Sequence, residues 1–275
     1  MVMKTLKDHT LIYDDECPMC KIYTGAFIRS GMLDTYGRKP FSALSHTTDL
    51  DHKRACNEIA LVNRKNNSVI YGIDSLFTVI GHSFPMLSIL FDQKHFRAIC
   101  RKIYCFVSYN RKVIAPGSAE NKCIPDFNFK YRWVYIAFAW FITSIVLSFY
   151  SELLVPLIAK TQLNREFIIC AGQIAFQAMA LRTLGVLSAK EYINYFGHMM
   201  TVSLLGALLL TPAFLLNHLT DEPYVFAGYF SIVVTYMLIE HVRRVKLLGL
   251  PHLLTATWVL YRLLVLGIML TTGSI

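Results

Sequence analysis

The chain has 275 residues, with 27 Lys and Arg against 18 Asp and Glu, a formal net charge of +9. Hydrophobic residues make up 55% and charged ones 16%, against roughly a quarter charged in a soluble globular chain, which excludes a disordered protein. The basic balance does not point to a nucleic-acid partner: no Lys/Arg run has the density of a nucleic-acid arm, and several basic residues flank apolar stretches, where topology explains them. Nearly all the long apolar runs fall after residue 130. The expected organisation is an α/β domain over 1–115, a linker over 116–131 and an all-α transmembrane bundle over 132–275.

Residues 1–10 carry Lys4, Lys7, Asp8 and His9 with no apolar stretch, which does not read as a signal peptide. Leu11, Ile12 and Tyr13 form a short strand, followed by Asp14, Asp15, Glu16, Cys17 and Pro18. An acidic turn and a proline at the first helical position mark a helix start. Ile22, Ala26, Phe27 and Ile28 supply its apolar face, and Gly31 ends it. A second strand is expected within 34–41, where Pro40 lies, and a short helix over 48–56. Two strands over 59–62 and 68–71 flank a turn at Arg64, Lys65, Asn66 and Asn67. Helices follow over 73–82 and 96–113, and 115–130, with Pro116, Gly117 and Pro125, reads as a linker. The order β-α-β-α-β-β-α is that of a thioredoxin-like domain, although many α/β folds begin this way.

Of seven cysteines (Cys17, Cys20, Cys56, Cys100, Cys105, Cys123 and Cys170), only the first two form a CxxC, so the set is not a disulfide framework. A cysteine opening a helix sits at the positive end of the dipole beside unpaired backbone N–H groups, which favours the thiolate. Spacing i,i+3 brings Cys20 onto the same face, within disulfide reach. Cys17 is the expected exposed nucleophile and Cys20 the buried resolving thiol. Two alternatives stay open: a zinc site completed by His46, His52 and Cys56, or chance spacing in a structural helix. Asp14, Asp15 and Glu16 raise a neighbouring thiol's pKa; they serve either as helix-start charges or as a proton relay for Cys20.

The run from Tyr13 to Cys20, Tyr-Asp-Asp-Glu-Cys-Pro-Met-Cys, resembles the opening motif of the DCC family of thiol-disulfide oxidoreductases (the DUF393 domain). Ser68 to Ser75 resembles the family's hairpin strand and following helix start, and Tyr109-Asn110-Arg111 its closing aromatic helix. The resemblance covers about residues 9–115. It implies a thioredoxin-like fold with Cys17 and Cys20 as the redox pair, supported by Asp14 and Pro18. It assigns Asp74, Asn110 and Arg111 to family positions read as structural first, Asp74 as a cap for the helix after Gly72. Asp15 stands where the family has glycine, and Asn57-Glu58 where a thioredoxin has its cis-proline.

Five apolar stretches follow, about 133–150, 166–188, 192–219, 224–240 and 250–270, each near the roughly 20 residues that span a bilayer. Lys130, Arg132, Arg182, Lys190, Arg243, Arg244 and Lys246 gather at one side, and only Lys160 and Arg165 at the other, so the N-terminal domain is expected in the cytosol and the C-terminus outside. The resemblance implies a bacterial inner membrane. Gln173, Gln177, Arg182, His198 and above all Arg262 are polar residues in or beside the spans that could line a quinone or haem pocket, or else bond between helices. Cys123 is an auxiliary candidate for a dithiol step with the CxxC. The expected function is a membrane-tethered thiol-disulfide oxidoreductase acting on protein or small-molecule thiols and disulfides. In the cytosol it would act as a reductase, with no cofactor beyond its own disulfide. The alternatives are a transport, lipid- or quinone-linked membrane protein whose soluble domain senses redox state, and a scaffold with a relic CxxC.

Overall fold

A computed structural model describes residues 4–44, 50–117, 123, 125–155, 157, 158, 163–186 and 188–272. The chain divides into two compact units, Met1–Tyr131 and Arg132–Ile275. The first thus ends sixteen residues beyond the expected boundary at 115, because residues of the expected linker pack into it. His46, Lys160 and the start of the helix expected at 48–56 lie outside the described residues.

In the first unit a four-stranded sheet has the order β2-β1-β3-β4, from β1 (His9–Tyr13), β2 (Arg38–Pro40), β3 (Ala60–Asn63) and β4 (Val69–Tyr71). β1 pairs parallel with β2 and antiparallel with β3, which pairs antiparallel with β4. β1 is central, and alternation along a strand sends successive side chains to opposite faces. Leu11 therefore packs with Leu33, Ile59, Leu61 and Val79 on one face, and Ile12 with Leu50, Ala55 and Ala60 on the other. Helices α1 (Pro18–Arg29), α2 (His52–Asn57), α3 (Ile73–Ser83), α4 (Pro85–Phe91) and α5 (Lys94–Ile114) complete the unit. The sequence does not suggest α4: its run is apolar on all sides, with Met86 and Ile89 exposed, and so carries no periodicity. Asp74 is not the cap of α3. Gly72, at φ +68°, takes the N-cap position, and Asp74 in the first turn binds Arg101 at 2.8 Å and Arg97 at 3.7 Å.

The second unit holds α6 (Phe129–Glu152, its first turn carrying the boundary), α7 (Leu163–Thr183), α8 (Ala189–Leu210), the short α9 (Ala213–Leu216), α10 (Pro223–Leu247) and α11 (Leu253–Thr272). Among the described residues four helices are long and apolar enough to cross a membrane: α6, α8 continued through α9, α10 and α11. Five were expected. α7 is long enough, at 21 residues, but Asn164, Arg165, Glu166, Gln173, Gln177 and Arg182 dilute its apolarity.

Candidate functional site

The CxxC sits where the sheet hands the chain to α1. After Tyr13, the last residue of β1, residues 14–16 turn, Asp14 Oδ1 accepting the Glu16 N–H at 3.0 Å and the Asp14 carbonyl accepting the Cys17 N–H at 3.2 Å. Asp15 is tied to Ser42, accepting from its N–H at 3.2 Å and its hydroxyl at 2.8 Å. Cys17 is the N-cap of α1 and Pro18 its first residue, where a missing N–H costs nothing. No side chain caps this end. Its free N–H groups and dipole therefore favour a thiolate at Cys17.

The two thiols differ sharply. The hydrogen bond from Cys20 and, behind it, the charge of Arg111 bring the Cys17 thiol down from 9.0 to about 6, against burial and Asp14. The same hydrogen bond, then burial, pushes the Cys20 thiol up. Tyr23 donates its hydroxyl to Cys20 Sγ at 3.6 Å. Exposure runs opposite to expectation: Cys17 is only 1% exposed, while Cys20 is partly open. Cys17 lies at the junction of the turn and α1, and beside it Gly117 comes so close that a side chain there would strike the Glu16 carbonyl.

Two of the three carboxylates before Cys17 are paired with cations. Asp14, 5% exposed, accepts from Arg111 Nη2 at 3.0 Å and Nε at 3.2 Å, and Glu16 binds Lys112 Nζ at 3.1 Å. Arg111 also donates to the Cys56 carbonyl at 2.5 Å and the Asn57 carbonyl at 3.2 Å. A buried guanidinium with one carboxylate and several carbonyls is a satisfied charge. Arg111, read from sequence as structural first, is thus part of the site. Its signal is the helical stripe Tyr104, Val107, Ser108 and Arg111 along α5, spaced i, i+3, i+4, i+7. All four line a cavity of about 330 Å³ that also takes in Asp14, Met19, Cys20, Tyr23, Ile59 and Ile73. Its walls are mainly apolar, and of the CxxC pair Cys20 lines it and Cys17 does not.

Cys123 does not stand beside the CxxC cysteines as a lone thiol. It forms a disulfide with Cys56, at a Cα–Cα distance of 5.4 Å, and Arg111 Nη2 lies 3.9 Å from Cys123 Sγ. Cys56 is therefore engaged, and the described residues hold no group of three His, Cys, Asp or Glu side chains suited to a metal. Asn110 is buried, donating to the Phe106 carbonyl at 2.8 Å and the Tyr131 carbonyl at 3.0 Å.

In the second unit several polar residues bond between helices. Arg244, paired with Glu240 of its own helix at 2.8 Å, reaches His198 Nδ1 of α8 at 3.2 Å. Gln177 Oε1 accepts from Tyr195 at 3.1 Å and Thr257 at 3.3 Å, and His241 stacks on Trp258 with centroids 4.9 Å apart. Arg182 is exposed at the end of α7. Arg262 lies over the Trp258 ring at 4.0 Å. Gln173 Nε2, Gln177 Nε2, Trp258 Nε1 and Arg262 Nε are buried donors with no acceptor among the described residues.

Comparison with known protein families, with curated proteins and with solved structures finds no match for this chain.

Proposed function

We propose that the chain is a membrane-tethered thiol-disulfide oxidoreductase with a thioredoxin-like N-terminal unit of the DCC type, working through Cys17 and Cys20. The observation that carries this reading is the placement of the CxxC, with Cys17 at the uncapped N-terminus of α1 directly after β1 and the buried Asp14–Arg111 pair in the turn before it; the lowered Cys17 thiol pKa agrees. The sheet order and the parallel β1–β2 pair joined through α1 support the fold assignment. Because the cavity opens on Cys20, a substrate thiol entering it attacks Cys20 of the oxidised pair. Cys17 then leaves as a stabilised thiolate, and low pKa makes a good leaving group. Reduction of a substrate disulfide runs the same steps backwards. Stabilising the reduced form in this way makes the couple more oxidising. The apolar walls suit an apolar side chain or tail beside the reacting sulfur. Basic residues near the α6 start and the α10 end support placing the first unit in the cytosol.

The test is a redox titration of the purified chain with alkylation gel-shift readout, beside Cys17→Ser and Cys20→Ser. A two-electron transition lost in both variants is expected, and its midpoint sets the direction. No transition, or one that persists without Cys17, overturns the reading.

The four donors on α7 and α11 that lack a partner among the described residues favour a second reading, in which the bundle holds an acceptor-bearing ligand such as a quinone headgroup and the first unit senses redox state. Quenching of Trp258 fluorescence by a short-chain quinone, lost in Arg262→Leu, would support it.

A further inference from the structure

Cys17 poses a problem for a simple exchange enzyme: it is the reactive thiol, and it is almost completely covered. A buried thiolate finds its partner inside the protein. The first unit contains such a partner, the Cys56–Cys123 disulfide, while Cys17 and Cys20 stand as free thiols. Arg111 connects the two. One nitrogen, Nη2, binds the Asp14 carboxylate at 3.0 Å, three residues before Cys17, and lies 3.9 Å from Cys123 Sγ. The same nitrogen donates to the Cys56 carbonyl, and the guanidinium charge also acts on Cys17. Beyond the end of α5, on the way to Cys123, Gly117 comes so close to the Glu16 carbonyl, next to Cys17, that a side chain there would strike it.

We propose that Cys56 and Cys123 form a second redox-active pair that exchanges two electrons with Cys17 and Cys20 across Arg111. This rests on the oxidoreductase reading and extends it to a four-cysteine relay. Cys17 thiolate attacks Cys123 Sγ, the Cys56–Cys123 bond breaks, and its electron pair leaves on Cys56. Cys56 takes the proton of the Cys20 thiol. Cys20 thiolate attacks Cys17 Sγ, the Cys17–Cys123 bond breaks, and its electron pair stays on Cys123. The first pair is oxidised to a disulfide and the second reduced, with no proton or electron gained or lost overall. The negative charge begins on Cys17 and ends on Cys123, in the field of Arg111 at both points, so the exchange does not strand a charge in the interior. External thiols or disulfides reach the relay through the cavity at Cys20.

The experiment uses the full chain. Cys20→Ser/Cys56→Ser, reduced, desalted and oxidised with diamide, is mapped by non-reducing peptide mass spectrometry. A Cys17–Cys123 linked peptide as the main product is expected; a free Cys17, or Cys17 joined elsewhere, overturns the relay. Should that variant not fold, Cys17→Ser decides. Reduction of Cys56–Cys123 by limiting dithiothreitol should slow by about tenfold or more, because the route through the acidic thiol is gone. An unchanged rate overturns the proposal. Titration of Cys17–Cys20 in the unaltered chain separates the two claims. A clean transition without the cross-link sinks the relay alone, and no transition sinks the oxidoreductase reading with it.

Discussion

Asp14 and Arg111 are 97 positions apart and meet as a pair in which both side chains are nearly buried. Removing one partner of such a pair leaves an uncompensated charge and costs about 3–5 kcal/mol. Asp14→Ala should lower unfolding stability by that amount in urea titration, and Arg111→Met added to it should restore part of the loss. A loss no larger than that of an exposed ion pair would show that Arg111 is satisfied by carbonyls alone. The thiol itself gives a pH signature. The thiolate absorbance of the reduced chain at about 240 nm, less that of Cys17→Ser, should rise with a midpoint of about 6, and Arg111→Met should move that midpoint upward. For stability, the Cys17 pKa is lower folded than unfolded. Its thiolate therefore adds stability that is complete above 9 and is lost as pH falls through about 6. Cys20 is shifted upward, so its contribution is present below its ordinary value near 9 and fades above it. Relative to Cys17→Ser, the reduced chain should gain stability as pH rises from about 6 and be most favoured near 9, as thermal unfolding across pH would show. Cys17, Pro18 and Cys20 were legible because strand, turn and helix start lie within a dozen residues. Arg111 and Cys56 were not, since their meeting with Asp14 and Cys123 depends on how α5 crosses the sheet. The exposure of the two thiols was inverted as well, since burial of Cys17 depends on tertiary packing that spacing along the chain does not show.

Periodicity recovered β1, β3, β4, α1, α3 and α5 with short boundary errors, because each has one buried face or a clear start signal. It missed α4, and composition alone does not single out α7 as a span, for opposite reasons. α4 has no polar side to reveal it. α7 is amphipathic with its polar side inward: Glu166, Gln173 and Gln177 are buried, while Ile168 and Met179 are about 70% exposed. That inversion is what a membrane-embedded helix shows when it shields polar residues from lipid. Tyr261 of α11 donates to the Ile169 carbonyl at 2.8 Å, and Thr257 to Gln177, so α7 and α11 run antiparallel along a shared seam. Despite its low apolarity, α7 should therefore cross the bilayer as a fifth span, with its apolar side in lipid. Reporter fusions at the two termini test this. Five crossings put the C-terminus on the opposite side from the N-terminus, four put both on one side, and the latter result would return α7 to the interface. Charged residues substituted at Ile168 or Met179 should cost about 2–3 kcal/mol of insertion free energy if α7 is embedded, and little if it is not.

At the scale of the whole molecule, the question is where the first unit ends. Composition places the boundary at 115, where proline and glycine begin. The folded unit reaches Tyr131 because the intervening chain is tied back at several points. Asn57 and Asp126 exchange hydrogen bonds at 3.0 and 2.7 Å, and Lys53 joins Asp126 at 3.8 Å. Tyr131 stacks on Tyr109 with centroids 5.0 Å apart and accepts from the buried Asn110 amide. Cys123 adds a covalent link to Cys56, closing a loop of 67 residues, which by chain entropy alone stabilises by roughly 4 kcal/mol. A fragment of residues 1–131 should therefore unfold cooperatively, while one of 1–115 loses the link, the aromatic stack and the partner of Asn110. The expected difference is about 4 kcal/mol or more under non-reducing conditions. It should shrink, without vanishing, when dithiothreitol opens Cys56–Cys123, because the Asn57, Asn110 and Tyr131 contacts remain. Equal stability of the two fragments in urea titration would mean that 116–131 is a tether after all. Cys123 would then be carried by a segment too loosely held to stand in register with Arg111.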